Sequence, residues 1–150
     1  IQGKMILQLT PNTHPILHER VKPCSKDLDR HEISSILKEN MFHYEGIGLS
    51  ANQIGISERV FIMMLNMETE ETITCFNPRI IKRYEDDVWC EEGCLSFPDE
   101  IINIQRPNRI VVKYEDEDKK DHKIKLDGLA ARVFLHEFDH LEGIVFTERQ

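Results

Sequence analysis

Between positions 27 and 44 apolar residues recur with a helical period. Ile33, Leu37, Met41 and Tyr44 stand four, four and three residues apart and share one face. Asp29, with Glu32 three residues on, forms a capping pair at the start, and Gly46 stops the helix. After Gly46 the period changes. Residues 59–65 (RVFIMML) are an apolar run of strand length. A polar turn over 66–71 leads into an alternating strand over 72–76, Asn77-Pro78 breaks it, and a strand resumes over 80–84. Residues 109–115 and 122–126 flank a charged tip and read as a hairpin. Asp127 then caps a second helix over 129–142, closed by Gly143. Strands gathered between two helices predict an α+β fold with mostly antiparallel sheet.

Length narrows the choice. At 150 residues and 17.6 kDa the chain fits one domain, 1–150, with no internal repeat. That excludes a two-domain dinucleotide enzyme and a barrel of eight βα units. Nineteen Lys+Arg against 27 Asp+Glu give a formal charge of -8, so a nucleic-acid partner is not expected. No apolar run approaches the roughly 18 residues that cross a bilayer, so no membrane partner is expected either. Cys24, Cys75, Cys90 and Cys94 lack the spacing of a disulfide framework and no signal peptide is visible, which favours a reduced, intracellular setting.

The chemistry begins at His136-Glu137-Phe138-Asp139-His140. On a helix the two histidines lie one turn apart on one side and can hold one metal ion, with Glu137 placed to reach a water without ligating. Leu129 and Val133 continue the histidine stripe, so the ring pair is expected to face inward. No second glutamate lies some twenty residues on, and Phe146 stands where a metzincin has its third histidine. The third ligand is therefore sought upstream. Cys94, between Gly93 and Pro98, is the best candidate, because a thiolate suits iron(II) or zinc. A closed site of Cys90, Cys94, His136 and His140 is the competing, purely structural reading. A third segment, Gly46-Ile47-Gly48-Leu49-Ser50-Ala51-Asn52-Gln53, has two glycines that let the backbone pass close to something, and an amide donor at its end.

Taken in order, Gly46-x-Gly48-Leu49-Ser50-Ala51-x-Gln53, Glu92-Gly93-Cys94-Leu95-Ser96 and His136-Glu137-x-x-His140 resemble the peptide deformylase family. The resemblance spans 46–143 directly. It implies an α+β fold with sheets packed around a central HExxH helix, in one catalytic domain, whose C-terminal end is expected to be short beside that of many bacterial members. It implies removal of the N-formyl group from the formyl-methionine of new polypeptides. Cys94, His136 and His140 would hold one divalent ion, iron(II) as the native metal, with zinc, nickel or cobalt as alternatives. Glu137 would be general base and acid. Gln53 and the Leu95 backbone N–H would receive the oxyanion. Gly46, Ile47, Gly48, Leu129 and Val133 would line the methionine pocket. The resemblance further implies a formylated nascent peptide as substrate, transient contact with the ribosome and a cytoplasmic setting.

Some positions depart from the family pattern. Ser50 stands for the commoner alanine and Asn52 for the commoner proline, and neither is expected to carry chemistry. Many members have an arginine seven residues after the ligand cysteine; here that residue is Ile101, and Arg106 is the nearest cation downstream.

Overall fold

The computed structural model describes residues 5–11, 13–94 and 96–144, the side chains at 97–99 excepted. Helix α1 spans Arg30–His43, and Asp29 caps it by accepting from the Glu32 N–H. Its stop is not made at Gly46. Glu45 takes the positive φ of 57°, and the Gly46 N–H returns to the Met41 carbonyl. Strand β1 (Gly48–Ser50) follows, then a 3-10 turn over Ala51–Ile54 and strand β2 (Val60–Asn66).

Strand β3 runs unbroken from Glu71 to Arg83. The expected break at Asn77-Pro78 is instead a bulge: the register against the neighbouring strand shifts between Phe76 and Arg79, and Asn77 sits at φ 48°. A bulge absorbs the proline's missing N–H without ending the ladder. Two further strands, β4 (Asp87–Cys94) and β5 (Phe97–Pro107), form a hairpin that the sequence pattern does not announce. The expected hairpin of β6 (Arg109–Glu115) and β7 (Asp121–Asp127) is present. Helix α2 covers Gly128–Leu141; Asp127 occupies its N-cap position without a side-chain capping bond.

Strands β1-β2-β3-β6-β7 form one antiparallel sheet, and β4-β5 a second. The architecture is the expected α+β. Helix α2 lies on one face of the large sheet, where Phe61, Ile110, Val112 and Phe134 are fully buried. Phe134 meets Phe61 edge-on at 5.0 Å. Helix α1 covers the opposite face at the β1-β2 end, with Leu37, Met41, Leu49 and Phe76 at its centre. The sheet thus presents α2 toward the β4-β5 hairpin, and the chemistry-bearing segments meet in that gap. Among the described residues no helix is long and apolar enough to cross a membrane.

Candidate metal centre and active-site cleft

Helix α2 delivers the two histidines. Its C-terminal end is pinned by buried Arg59, which donates to the carbonyls of Val21 (3.0 Å) and Leu141 (3.2 Å) and pairs with Glu142. A cation at the last turn satisfies free carbonyls and opposes the helix dipole. Gly143, at φ 77°, then reverses the chain against Glu19, whose backbone a Cβ there would meet at 2.7 Å. The helix side chains therefore point into the gap at a fixed height.

Cys94, at the end of β4, meets them. Its Sγ lies 3.3 Å from His140 Nε2, which lies 3.3 Å from His136 Nε2. The three ligand atoms fall within 4.8 Å of one another and form the cluster suited to a metal among the described residues. Ligands bonded at the usual lengths around a tetrahedral ion stand about 3.3–3.8 Å apart, so this donor set fits one ion. Cys90 is not in it. Its thiol is buried and turned to the Ile104 carbonyl at 3.3 Å, which dismisses the closed four-ligand reading.

A polar scaffold that the sequence reading missed sits behind the ligands. His136 Nδ1 meets Glu92 Oε1 at 2.9 Å, which directs Nε2 into the cluster. Buried Arg106 grips Glu92 through two nitrogens and reaches Asp139 at 3.0 Å. Although burial pushes the Glu92 carboxyl up, His136 and Arg106 pull it down to about 2. Burial likewise works against a charge on His136, yet Cys94 and Glu92 beside it raise the imidazole to about 10. Surroundings that favour positive charge on that ring suit a cation held through it. His140 is displaced the other way, well below its ordinary value, by burial and by His136. Two signals lay in the sequence: on a strand Glu92 shares a face with Cys94, and Asp139 directly precedes His140.

Glu137 is 4% exposed, and its Oε1 has no hydrogen-bond partner among the described residues. Burial, partly offset by the His136 charge, pushes its carboxyl up to about 7. The close approach expected of the glycine segment is real: a Cβ on Gly48 would lie 2.8 Å from Glu137 Oε2. Gln53 is buried on the 3-10 turn, with its Nε2 3.3 Å from Cys94 Sγ and 3.4 Å from Ser96 Oγ.

Cys94, His136, Glu137 and Gln53 border a cleft of about 480 Å³. Gly46, Ile47, Gly48, Leu129 and Val133 all line it, Val133 buried and Ile47 and Leu129 part exposed. Leu95 lies outside the described residues. Ile101 is on the rim, 71% exposed, whereas Arg106 is 5% exposed and committed to its two carboxylates, so it is no contact for a peptide.

A cysteine sulfur and two imidazoles beside a buried carboxylate with one unpaired oxygen define a metallohydrolase of the HExxH class. Comparison with known proteins narrows this. A profile of the polypeptide deformylase family matches residues 6–150. The peptide deformylase of Thermotoga maritima is 40% identical over 136 residues, covering 90% of this chain and 81% of that one. Its crystal structure superposes with a TM-score of 0.90 at 37% identity, covering 97% of each chain. A Met-Ala-Ser-bound class I type b peptide deformylase from Acinetobacter baumannii gives 0.91 at 28% identity, covering 99% of this chain and 100% of that one. The chain belongs to the polypeptide deformylase family. It is a metal-dependent hydrolase that removes the N-formyl group from formylated peptides.

Proposed function

We propose that Cys94, His136 and His140 hold one divalent cation, iron(II) in the native protein, and that Glu137 and Gln53 act on a formyl-methionyl peptide seated in the cleft. The observation that carries this is convergence. Cys94 and His136, with His140 clustered beside them, a buried carboxylate with one unpaired oxygen and a buried amide donor gather at one cavity. The thiolate with two imidazoles suits iron(II), and zinc, nickel and cobalt fit the same donors. When bound, the cation supplies Lewis acidity and a lowered water pKa.

The chain's own residues do the rest. Glu137, with its carboxyl near neutrality, takes the proton of the attacking water and returns it to the leaving amine. Gln53 Nε2 donates to the formyl oxygen as negative charge develops there, and the Leu95 N–H is assigned the same task from the sequence pattern. Gly46 and Gly48 keep the wall thin, while Ile47, Leu129 and Val133 give the methionine side chain an apolar seat. This activity belongs in the cytoplasm, where formylated chains leave the ribosome, with residues 1–150 acting as one catalytic unit.

The test is formate release from formyl-Met-Ala-Ser by the metal-loaded protein. Glu137→Gln should retain the metal, since the carboxylate is not a ligand, and lose nearly all turnover. Retained turnover, or metal lost with the carboxylate, overturns the assignment.

A further inference from the structure

Ser50 and Asn52 are expected to carry no chemistry, yet both are completely buried beside the centre. Asn52 Nδ2 donates to the His140 carbonyl at 2.7 Å. Asn52 Oδ1 accepts from the Ser50 hydroxyl at 2.6 Å. The Ser50 backbone N–H donates to Gln53 Oε1 at 3.1 Å, with the Ser50 hydroxyl also 3.1 Å away. Thr10 fastens the same turn from outside, its N–H on the Gln53 carbonyl and its hydroxyl on that of Asn52.

Two directions in this chain are forced, at the His140 carbonyl and at the Ser50 backbone N–H, while the single Ser50 hydroxyl proton goes to the nearer acceptor, Asn52 Oδ1, and ties down the residue whose N–H holds Gln53. A carbonyl only accepts and a backbone N–H only donates. Asn52 must therefore turn its NH₂ to His140 and its oxygen to Ser50. Gln53 must turn its oxygen to Ser50, which leaves its NH₂ toward Cys94 and the cleft. Flipping the Gln53 amide would set NH₂ against the Ser50 N–H and oxygen against sulfur.

We propose that Asn52, acting through Ser50, is a positioning residue that locks the Gln53 amide donor-side toward the reacting carbonyl and registers it against the ligand helix at His140. The inference rests on the reading of Gln53 as the oxyanion donor. The physical need is tolerance: a donor displaced by about 1 Å can cost on the order of a hundredfold in rate. Gln53 and the two histidines sit on separate elements, and the Asn52 side chain bonds the turn to the histidine helix at the His140 carbonyl.

The test is a double-mutant cycle on formyl-Met-Ala-Ser. Gln53→Ala should lower kcat by about a hundredfold or more. Asn52→Ala should lower kcat about tenfold with KM within about twofold, and should cost under about twofold on the Gln53→Ala background. Chelator-driven metal release should quicken several-fold in Asn52→Ala, a readout independent of turnover. Should that variant fold poorly, Ser50→Ala keeps the Asn52–His140 bond and should lower kcat about threefold, again with little effect beyond Gln53→Ala. Equal losses in both backgrounds, a change confined to KM, or a lower melting temperature with kcat intact overturns the positioning role. An unchanged kcat in Gln53→Ala overturns instead the oxyanion reading beneath it.

Discussion

Gly48→Ala adds one methyl at the point where the backbone passes closest to the candidate base. The new Cβ would lie 2.8 Å from Glu137 Oε2, 3.0 Å from Val133 Cγ1 and 3.1 Å from Glu137 Cγ. Ordinary contact begins near 3.4 Å, so the shortfall at Oε2 is 3.4 − 2.8, or 0.6 Å. Val133 is 5% exposed and Glu137 is 4% exposed, so neither can swing out to solvent. Overpacking of this kind costs about 1–3 kcal/mol. In a chain of 150 residues that lowers Tm by roughly 3–10 °C. The rate should suffer more. A carboxylate pushed by about half an ångström from the proton it moves should lose on the order of tenfold in kcat. Gly93→Ala is the control, because Gly93 lines the same cleft and its Cβ would meet only the Glu100 carbonyl at 3.7 Å. Steady-state kinetics and thermal melts of both variants decide the matter. A Gly48→Ala protein with wild-type kcat and Tm, or a Gly93→Ala protein equally impaired, would refute the reasoning.

Cys94→Ser should abolish tight metal binding while Cys90→Ser keeps it, measured by metal content after gel filtration; loss of the metal in both variants would restore the closed site of two cysteines and two histidines. Arg106→Met leaves Glu92 and Asp139 buried without their cation and should cost about 3–5 kcal/mol in urea unfolding. A loss below about 1 kcal/mol would show the network to be wetter than drawn. In air, the iron(II) protein should lose activity with added oxygen mass on Cys94. A ligating thiolate is the oxidisable form, while burial raises Cys24, Cys75 and Cys90 and keeps them as thiols. Inactivation with Cys94 unmodified would count against that assignment.

The elements readable from the sequence are those whose apolar residues recur regularly, whatever charges they also bury. Helices α1 and α2, strand β2 and the β6-β7 hairpin keep apolar residues at the period of their own geometry. The β4-β5 hairpin inverts the rule. Glu92 and Arg106 face inward as a pair, whereas Trp89 and Ile101 are 70% and 71% exposed. A pattern that expects charge outside finds no strand there. The cluster that could hold a metal was legible because its members lie within short motifs: two histidines four apart, and a cysteine between Gly93 and Pro98. Arg106 was not legible, because its partners Glu92 and Asp139 come from other elements and only the fold brings them together. Asn52 was hidden in the same way, its partner being a main-chain carbonyl 88 residues on.

Those hidden residues explain why a chain with 31% charged residues keeps some of them at its centre. Buried ion pairs do little for net stability, and well-packed apolar side chains often do as well. Here their value is geometric. Arg106 holds Glu92 on the strand that bears Cys94, and it holds Asp139 on the helix that bears both histidines. One guanidinium therefore fixes the separation of two elements that share no covalent neighbour. With its carboxyl held near 2, Glu92 stays ionised at neutral pH and remains a constant acceptor for His136 Nδ1. On the opposite side Asn52 ties the same helix to the turn that carries Gln53. The apolar cores on the two faces of the large sheet settle how the helices lie. The last few tenths of an ångström, on which a reaction centre depends, rest on bonds whose donors and acceptors admit one arrangement.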